Sequence, residues 1–159
     1  MQEKFKKIKL VAFDVDGVLT DGSLTFDEDG REYKTFNAKD GQGIVNLNKA
    51  DIITAIITAR DNGTVLHRAN NLGIKELCMG SKNKIKSLEN IMEKYGIAFD
   101  EIAYMGDDLP DICVLSKVLI ASCPNDAVDE VRAVANFVST KNGGRGAVRE
   151  LCDLILKNR

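Results

Sequence analysis

The sequence lacks any apolar run near the roughly 20 residues that a membrane helix needs. It also lacks a basic tract that could follow a nucleic-acid backbone, and it has no acidic tail. Its 22 basic and 24 acidic residues are mixed along the chain, for a net charge of −2. Neither a membrane nor a nucleic acid is expected as a partner. Histidine is almost absent: His67 stands alone beside Arg68, so chemistry built on histidine is excluded by composition. The four cysteines, Cys78, Cys113, Cys123 and Cys152, form no C-x-x-C pair and read as reduced thiols packed as small hydrophobes. The first nine residues are charged and lead straight towards a strand, without the apolar region or cleavage site of a secretion signal. A cytoplasmic location is the expectation. No repeat, linker or low-complexity segment interrupts the 159 residues, which fit one domain spanning 1–159. At 44% apolar and 29% charged the chain can bury a core without disulfide or metal staples.

What is present alternates. Ile8 to Phe13 is a short apolar, β-branched run that reads as a buried strand. Leu24 to Phe26 and Tyr33 to Phe36 flank Asp27-Glu28-Asp29-Gly30 and read as a hairpin, an insertion at about 23–36. A helix is predicted over Gly41 to Ala50 and a second buried strand over Ile52 to Ile57. Val65, Leu66, Ala69 and Leu72 then fall at helical spacing before Gly73. Lys75 to Met79 is a third strand. Ser81 is placed to cap a helix with the stripe Ile85, Leu88, Ile91, Met92 and Tyr95. Strands over Ile102 to Met105 and Val118 to Ser122 and helices around 126–135 and 146–157 complete the pattern. Strands alternating with helices imply right-handed βαβ units, and hence an α/β fold with a doubly wound, mostly parallel sheet.

Ligands of such sheets bind beyond the C-terminal ends of the strands. Here those ends carry Asp14 and Asp16, then Thr58, then Asp107 and Asp108, with Lys84 nearby. Two carboxylates two positions apart on an extended segment point the same way and repel unless something positive lies between them or one holds a proton. Mg²⁺, a hard cation with oxygen ligands, suits them. A carboxylate can attack phosphorus and form an aspartyl phosphate. Asp14 is thus the candidate nucleophile. Asp16 is the candidate acid that protonates the leaving group and then activates water. Thr58 and Lys84 are candidate phosphate binders. Asp107 completes the metal site, with Asp108 and Asp111 as candidates to hold its waters. Alone, a threonine at a strand end or a lysine in a first helical turn says little. The order Asp, Thr, Lys, Asp on successive strand–helix units carries the inference.

DVDGVLT at 14–20, Thr58 after IITAII, Lys84, and GDDLPD at 106–111 resemble the four motifs of the haloacid dehalogenase-like phosphatases. Within that family, FNAKDGQG at 36–43, IITAR at 56–60, GSKNK at 80–84 and GGRGAVRE at 143–150 resemble the 3-deoxy-D-manno-octulosonate 8-phosphate phosphatases. The resemblance spans nearly the whole chain. It implies a Rossmann-like sheet without a large cap domain, Mg²⁺ dependence, and release of the free sugar acid for lipopolysaccharide synthesis. It matches the Asp14 carboxylate, the Asp16 carbonyl and the Asp107 carboxylate to metal ligands. It also places Arg60, Lys39 and Arg145 in segments that bind the sugar acid, and it implies a homotetramer with hairpins meeting at its centre. Leu24 and Phe26, on one hairpin face, need a cover of some kind, which agrees with that assembly. Three departures stand out: Ala59 where glycine is expected, Lys39 where arginine is common, and an end at Arg159 where relatives continue into a flexible tail. Lysine cannot reproduce the planar, two-pronged contact of arginine with a carboxylate. The tail is therefore expected to be missing.

Three alternatives share parts of this pattern. A response-regulator receiver also carries carboxylates, Thr and Lys on a parallel sheet, but its acceptor Asp ends a middle strand. A catalytically silent phosphatase-like domain would be expected to lose Asp14 or Lys84, and both are present. A phosphatase of a nonulosonate 9-phosphate would use the same chemistry in a pocket of different shape.

Overall fold

Leu10–Phe13 is apolar throughout because both of its faces are covered, as central strands of parallel sheets require. The computed structural model describes residues 2–159. After the short helix α1 (Gln2–Phe5), strand β1 (Leu10–Phe13) enters the sheet. The hairpin strands β2 (Thr25–Phe26) and β3 (Glu32–Tyr33) form a separate two-stranded ribbon. Helix α2 (Ala38–Lys49), β4 (Ile53–Ile57), α3 (Gly63–Leu72), β5 (Glu76–Cys78) and α4 (Lys84–Tyr95) follow. The remainder is β6 (Ile102–Met105), α5 (Ile112–Leu115), β7 (Ile120–Cys123), α6 (Asp129–Val134), β8 (Phe137–Val138) and α7 (Ala147–Lys157).

The sheet has six strands in the order β5-β4-β1-β6-β7-β8, and every pairing is parallel. From β1 the chain winds outward through β4 and β5, then returns to β6 on the other side. The order thus reverses at β1 and β6, and a crevice opens at their C-terminal ends. Register brings those ends level: Phe13 pairs with both Ile56 and Met105. The residues that follow, Asp14, Thr58 and Asp107, therefore emerge along one edge.

Alternation along β1 divides the core. Val11 and Phe13 face one layer with Ile44, Leu47, Val65, Leu151 and Ile155, under α2, α3 and α7. Leu10 and Ala12 face the other with Leu88, Tyr104, Val114 and Val131, under α4, α5 and α6. Among the described residues no helix is long and apolar enough to cross a membrane. All four cysteines are free: Cys123 and Cys152 are buried, Cys78 partly so, while Cys113 is exposed rather than packed among apolar side chains.

Several boundaries differ from the sequence reading. Helix α4 begins at Lys84 and is capped by Asn83, whose side chain accepts from Lys86 N at 3.1 Å; Ser81 does not cap it. Instead Ser81 N donates to the Thr58 carbonyl at 2.9 Å, which ties the start of α4 to the end of β4. Leu66 lies off the apolar stripe of α3 and is exposed, as is His67. Strand β8, two residues long, is too short to leave a periodic signal.

Helix α7 starts at a glycine, Gly146, which offers no capping side chain. Asp40, buried in α2, supplies the cap: its oxygens accept from Gly146 N at 3.3 Å and Arg149 N at 2.9 Å. Asp40→Ala removes these acceptors and is expected to lower stability by about 1–2 kcal/mol. The check is a urea titration, in which the midpoint falls while the slope is unchanged.

Candidate active site

Asp14 follows β1 directly, and its backbone N–H donates to the Met105 carbonyl at 3.0 Å, so the residue is held by β6 as well. Its side chain is nearly buried; Oδ1 accepts from Val15 N at 2.8 Å and Oδ2 lies 3.0 Å from Lys84 Nζ. Lys84, itself buried, also donates to Asp111 Oδ1 at 2.7 Å. Asp111 is an anchor. Tyr104 OH donates to the same Oδ1 at 2.6 Å, and Oδ2 accepts from Asp107 N at 3.0 Å and Asp108 N at 3.3 Å. The loop after β6 is thereby folded around a carboxylate with no solvent exposure. Its oxygens are taken by protein donors, which is a different job from the holding of waters expected of Asp111.

Oxygens of Asp14, Asp107 and Asp111 lie within 4.8 Å of one another. Among the described residues only Lys84 pairs with them, so the cluster carries excess negative charge largely shielded from water. Burial, followed by the charge of Asp111, raises the Asp14 carboxyl to about 6 against the opposing pull of Lys84. Burial, followed by the charges of Asp14 and Asp111, raises Asp107 to about 8. Lys84 is raised as well: burial would lower it, but the charges of Asp14 and Asp111 overcome this and push it up. Asp107 Oδ1 is buried without a hydrogen-bond partner among the described residues. An orphaned carboxylate oxygen beside a second carboxylate is what a hard divalent cation such as Mg²⁺ would fill. The donor set fits the ion.

Glycine permits this crowding. A Cβ on Gly17 would lie 1.9 Å from Asp107 Oδ2, and the residue has a φ of +82° that side chains disfavour.

The carboxylates open into a cleft of about 310 Å³, lined also by Asp16, Leu24, Thr58, Arg60, Asp108 and Pro110. Thr58 is buried at its floor, with its N–H bonded to the Cys78 carbonyl. A cleft holding a carboxylate, a lysine, a hydroxyl and a cation site is suited to an incoming phosphate group.

The comparisons with known proteins match this arrangement. The model of the haloacid dehalogenase-like hydrolases matches residues 76–151. The 3-deoxy-D-manno-octulosonate 8-phosphate phosphatase KdsC of Escherichia coli K12 is 43% identical over 153 residues, which are 96% of this chain and 81% of that protein. The chain belongs to this phosphatase family. The Haemophilus influenzae enzyme of the same name is 38% identical over 157 residues, covering 99% of this chain and 87% of its own. The crystal structure of the Moraxella catarrhalis phosphatase, in complex with magnesium, phosphate and KDO, superposes with a TM-score of 0.97. It is 41% identical and covers 99% of this chain and 91% of that one.

Within this family fold, Asp14, Asp16, Thr58, Arg60, Lys84 and Asp107 all line one cleft. Lys39 and Arg145 do not. They line a second groove of about 580 Å³ beside Arg149 and Lys157. Sequence reasoning passed over Tyr104, Glu32 and Lys34. Tyr104 left a usable signal, since a tyrosine in a fully buried strand needs a partner for its hydroxyl. Glu32 and Lys34 left none. They meet residues of the cleft only because the hairpin folds back towards it: Lys34 Nζ lies 2.5 Å from Asp16 Oδ1 and 3.3 Å from Glu32 Oε1. Glu32 Oε2 in turn accepts from Arg60 at 2.7 Å and Asn62 at 2.9 Å. Burial pushes the Glu32 carboxyl up, but Asn62, Lys34 and Arg60 outweigh it and hold it below its usual range.

The raised carboxyls make a test. Unfolded, Asp14 and Asp107 ionise near pH 4; folded and metal-free, they resist ionisation up to about 6 and about 8. The metal-free protein is therefore expected to lose stability as pH rises across that window, and a bound divalent cation is expected to remove the loss. Thermal melts with Mg²⁺ or chelator at pH 5 and pH 8 check this. The gap between the two melts should widen at the higher pH, and Asp107→Asn should close it. A gap independent of pH would contradict the assignment.

Proposed function

We propose that this chain hydrolyses 3-deoxy-D-manno-octulosonate 8-phosphate to the free sugar acid and phosphate with Mg²⁺ as cofactor, a step of lipopolysaccharide synthesis. The observation that carries the reading is the buried group of Asp14, Lys84 and Asp107 with its orphaned oxygen, at the strand edge where the related phosphatases share the fold. The Asp14 and Asp107 carboxylates and the Asp16 carbonyl would hold the ion. When bound, Mg²⁺ supplies positive charge that lets an anionic carboxylate approach an anionic phosphate.

The side chains supply the rest. Lys84 neutralises a second phosphoryl oxygen and the Thr58 hydroxyl donates to a third. Asp14 then bonds to phosphorus as the bridging P–O bond breaks. Asp16 gives its proton to the departing oxygen, leaving an alcohol, an aspartyl phosphate and an Asp16 carboxylate. That carboxylate next takes a proton from water, whose oxygen bonds to phosphorus. The bond to Asp14 breaks and phosphate leaves. Arg60, at the rim and partly exposed, is suited to the carboxylate of the sugar acid.

The same reading includes a homotetramer. Its support is the hairpin, where Leu24, Phe26 and Tyr33 each leave more than half of their surface exposed, 54%, 53% and 55%. Leu24 and Phe26 lie on one face of the ribbon and Tyr33 on the other, and exposed apolar side chains on a two-stranded ribbon offer a surface that a second copy can cover. In such an assembly Lys39 and Arg145, which line a separate groove of their own subunit, can serve a neighbour's cleft. Phe26→Glu is expected to reduce the mass measured by light scattering to that of a smaller species.

The assay that tests the reaction is phosphate release from a panel of sugar acid phosphates. The eight-carbon acid should be preferred with Mg²⁺, and chelator should abolish turnover. Asp14→Asn should lower kcat more than about 1000-fold while the fold is retained. Preference for a nine-carbon acid would overturn the substrate but leave the mechanism; undiminished activity in chelator would overturn both.

A further inference from the structure

Lys34 sits on the hairpin, far from the motifs that bear the chemistry, yet its side chain is only 2% exposed. Its ammonium is enclosed by Asp16 at 2.5 Å and Glu32 at 3.3 Å. Glu32 is fixed in turn by Arg60 and by Asn62, the residue that caps α3. The ribbon geometry explains the convergence. Phe26 pairs with Glu32, so Leu24, Phe26, Glu32 and Lys34 fall on one face; Leu24 lines the cleft, and Lys34 and Glu32 reach its residues Asp16 and Arg60. A buried ammonium between two carboxylates is a costly arrangement unless its geometry serves a purpose, because both partners must be taken from water.

We propose that Lys34 is a positioning residue for Asp16. It holds Oδ1 so that Oδ2 meets the leaving oxygen, and it steadies the charge that appears on the carboxylate once the proton has gone. Glu32 is the second support, linking that lysine to Arg60 and so to the rim where the sugar acid enters. The inference rests on the role of Asp16 given above.

A purely structural lysine would weaken every reaction of the enzyme alike. One that acts through the acid would matter only when the leaving group needs a proton. The experiment therefore compares kcat/KM, which reports steps up to departure of the alcohol, on two substrates with Mg²⁺: the sugar acid phosphate, whose alkoxide is a poor leaving group, and 4-nitrophenyl phosphate, whose phenolate departs unaided. Lys34→Met is expected to lower kcat/KM about 100-fold on the first and at least about tenfold less on the second. Lys34→Arg, which keeps the charge, should recover most of the difference. In an Asp16→Asn background, Lys34→Met should cost little more, since the two residues act as one unit.

Equal losses on both substrates, or losses that multiply in the double variant, would overturn the proposal. Asp16→Asn alone separates the two levels. If it discriminates between the substrates and Lys34→Met does not, only the inference about Lys34 is wrong. If it does not discriminate, the role of Asp16 falls and that of Lys34 with it. Should Lys34→Met fail to fold by circular dichroism, Glu32→Gln removes the second support and is read on the same pair of substrates. It is expected to shift the ratio in the same direction, and an unchanged ratio would count against the proposal.

Discussion

Negative charge is concentrated where the sheet reverses, and most of the local structure exists to tolerate it. Asp14, Asp107 and Asp111 bring oxygens within 4.8 Å of each other, largely shielded from water. One buried lysine cannot balance three carboxylates. Asp111 is satisfied by Lys84, Tyr104 and two backbone N–H groups, which leaves Asp14 and Asp107 to bear the repulsion. Burial and mutual repulsion push both carboxyls up, and a divalent cation between them would relieve that repulsion.

Holding such a cluster demands rigidity on several sides. Parallel pairing of β1 with β4 and β6 sets the heights of the strand ends, and buried apolar layers on both faces lock that register. The loop after β1 is pressed against Asp107 at Gly17. It is also pressed against the segment before α7, where a Cβ on Gly143 would lie 1.8 Å from the Gly17 carbonyl. Gly144 N donates to the Val18 carbonyl at 2.9 Å across the same contact. The glycine-rich segment at 143–146 thus shapes the site through backbone packing, and Asp40 holds it from below by capping α7.

The hairpin is attached differently. It meets the site through ions, with Lys34, Glu32 and Arg60 bridging ribbon, catalytic loop and the start of α3. Its apolar side chains, Leu24, Phe26 and Tyr33, are each more than half exposed in a single subunit. Charge complementarity thus fastens the ribbon at its base, while its outer portion remains available for association.

Much of this could be read from one sequence. Short apolar runs alternating with helical stripes are long-range regularities, and they required a parallel sheet before any contact was known. Asp14, Thr58 and Asp107 were legible because each follows such a run, and strand ends in this class converge on the ligand. Lys84 was legible only by its place in the order. The remainder depended on tertiary structure. Whether Lys39 and Arg145 reach the cleft, whether Asp111 holds water or anchors a loop, and whether Lys34 meets Asp16 are questions of distance between segments far apart in the chain. No local pattern encodes such distances. Periodicity records which side of an element is buried, whereas the meeting of two side chains 18 positions apart depends on how the hairpin is folded back by everything packed around it.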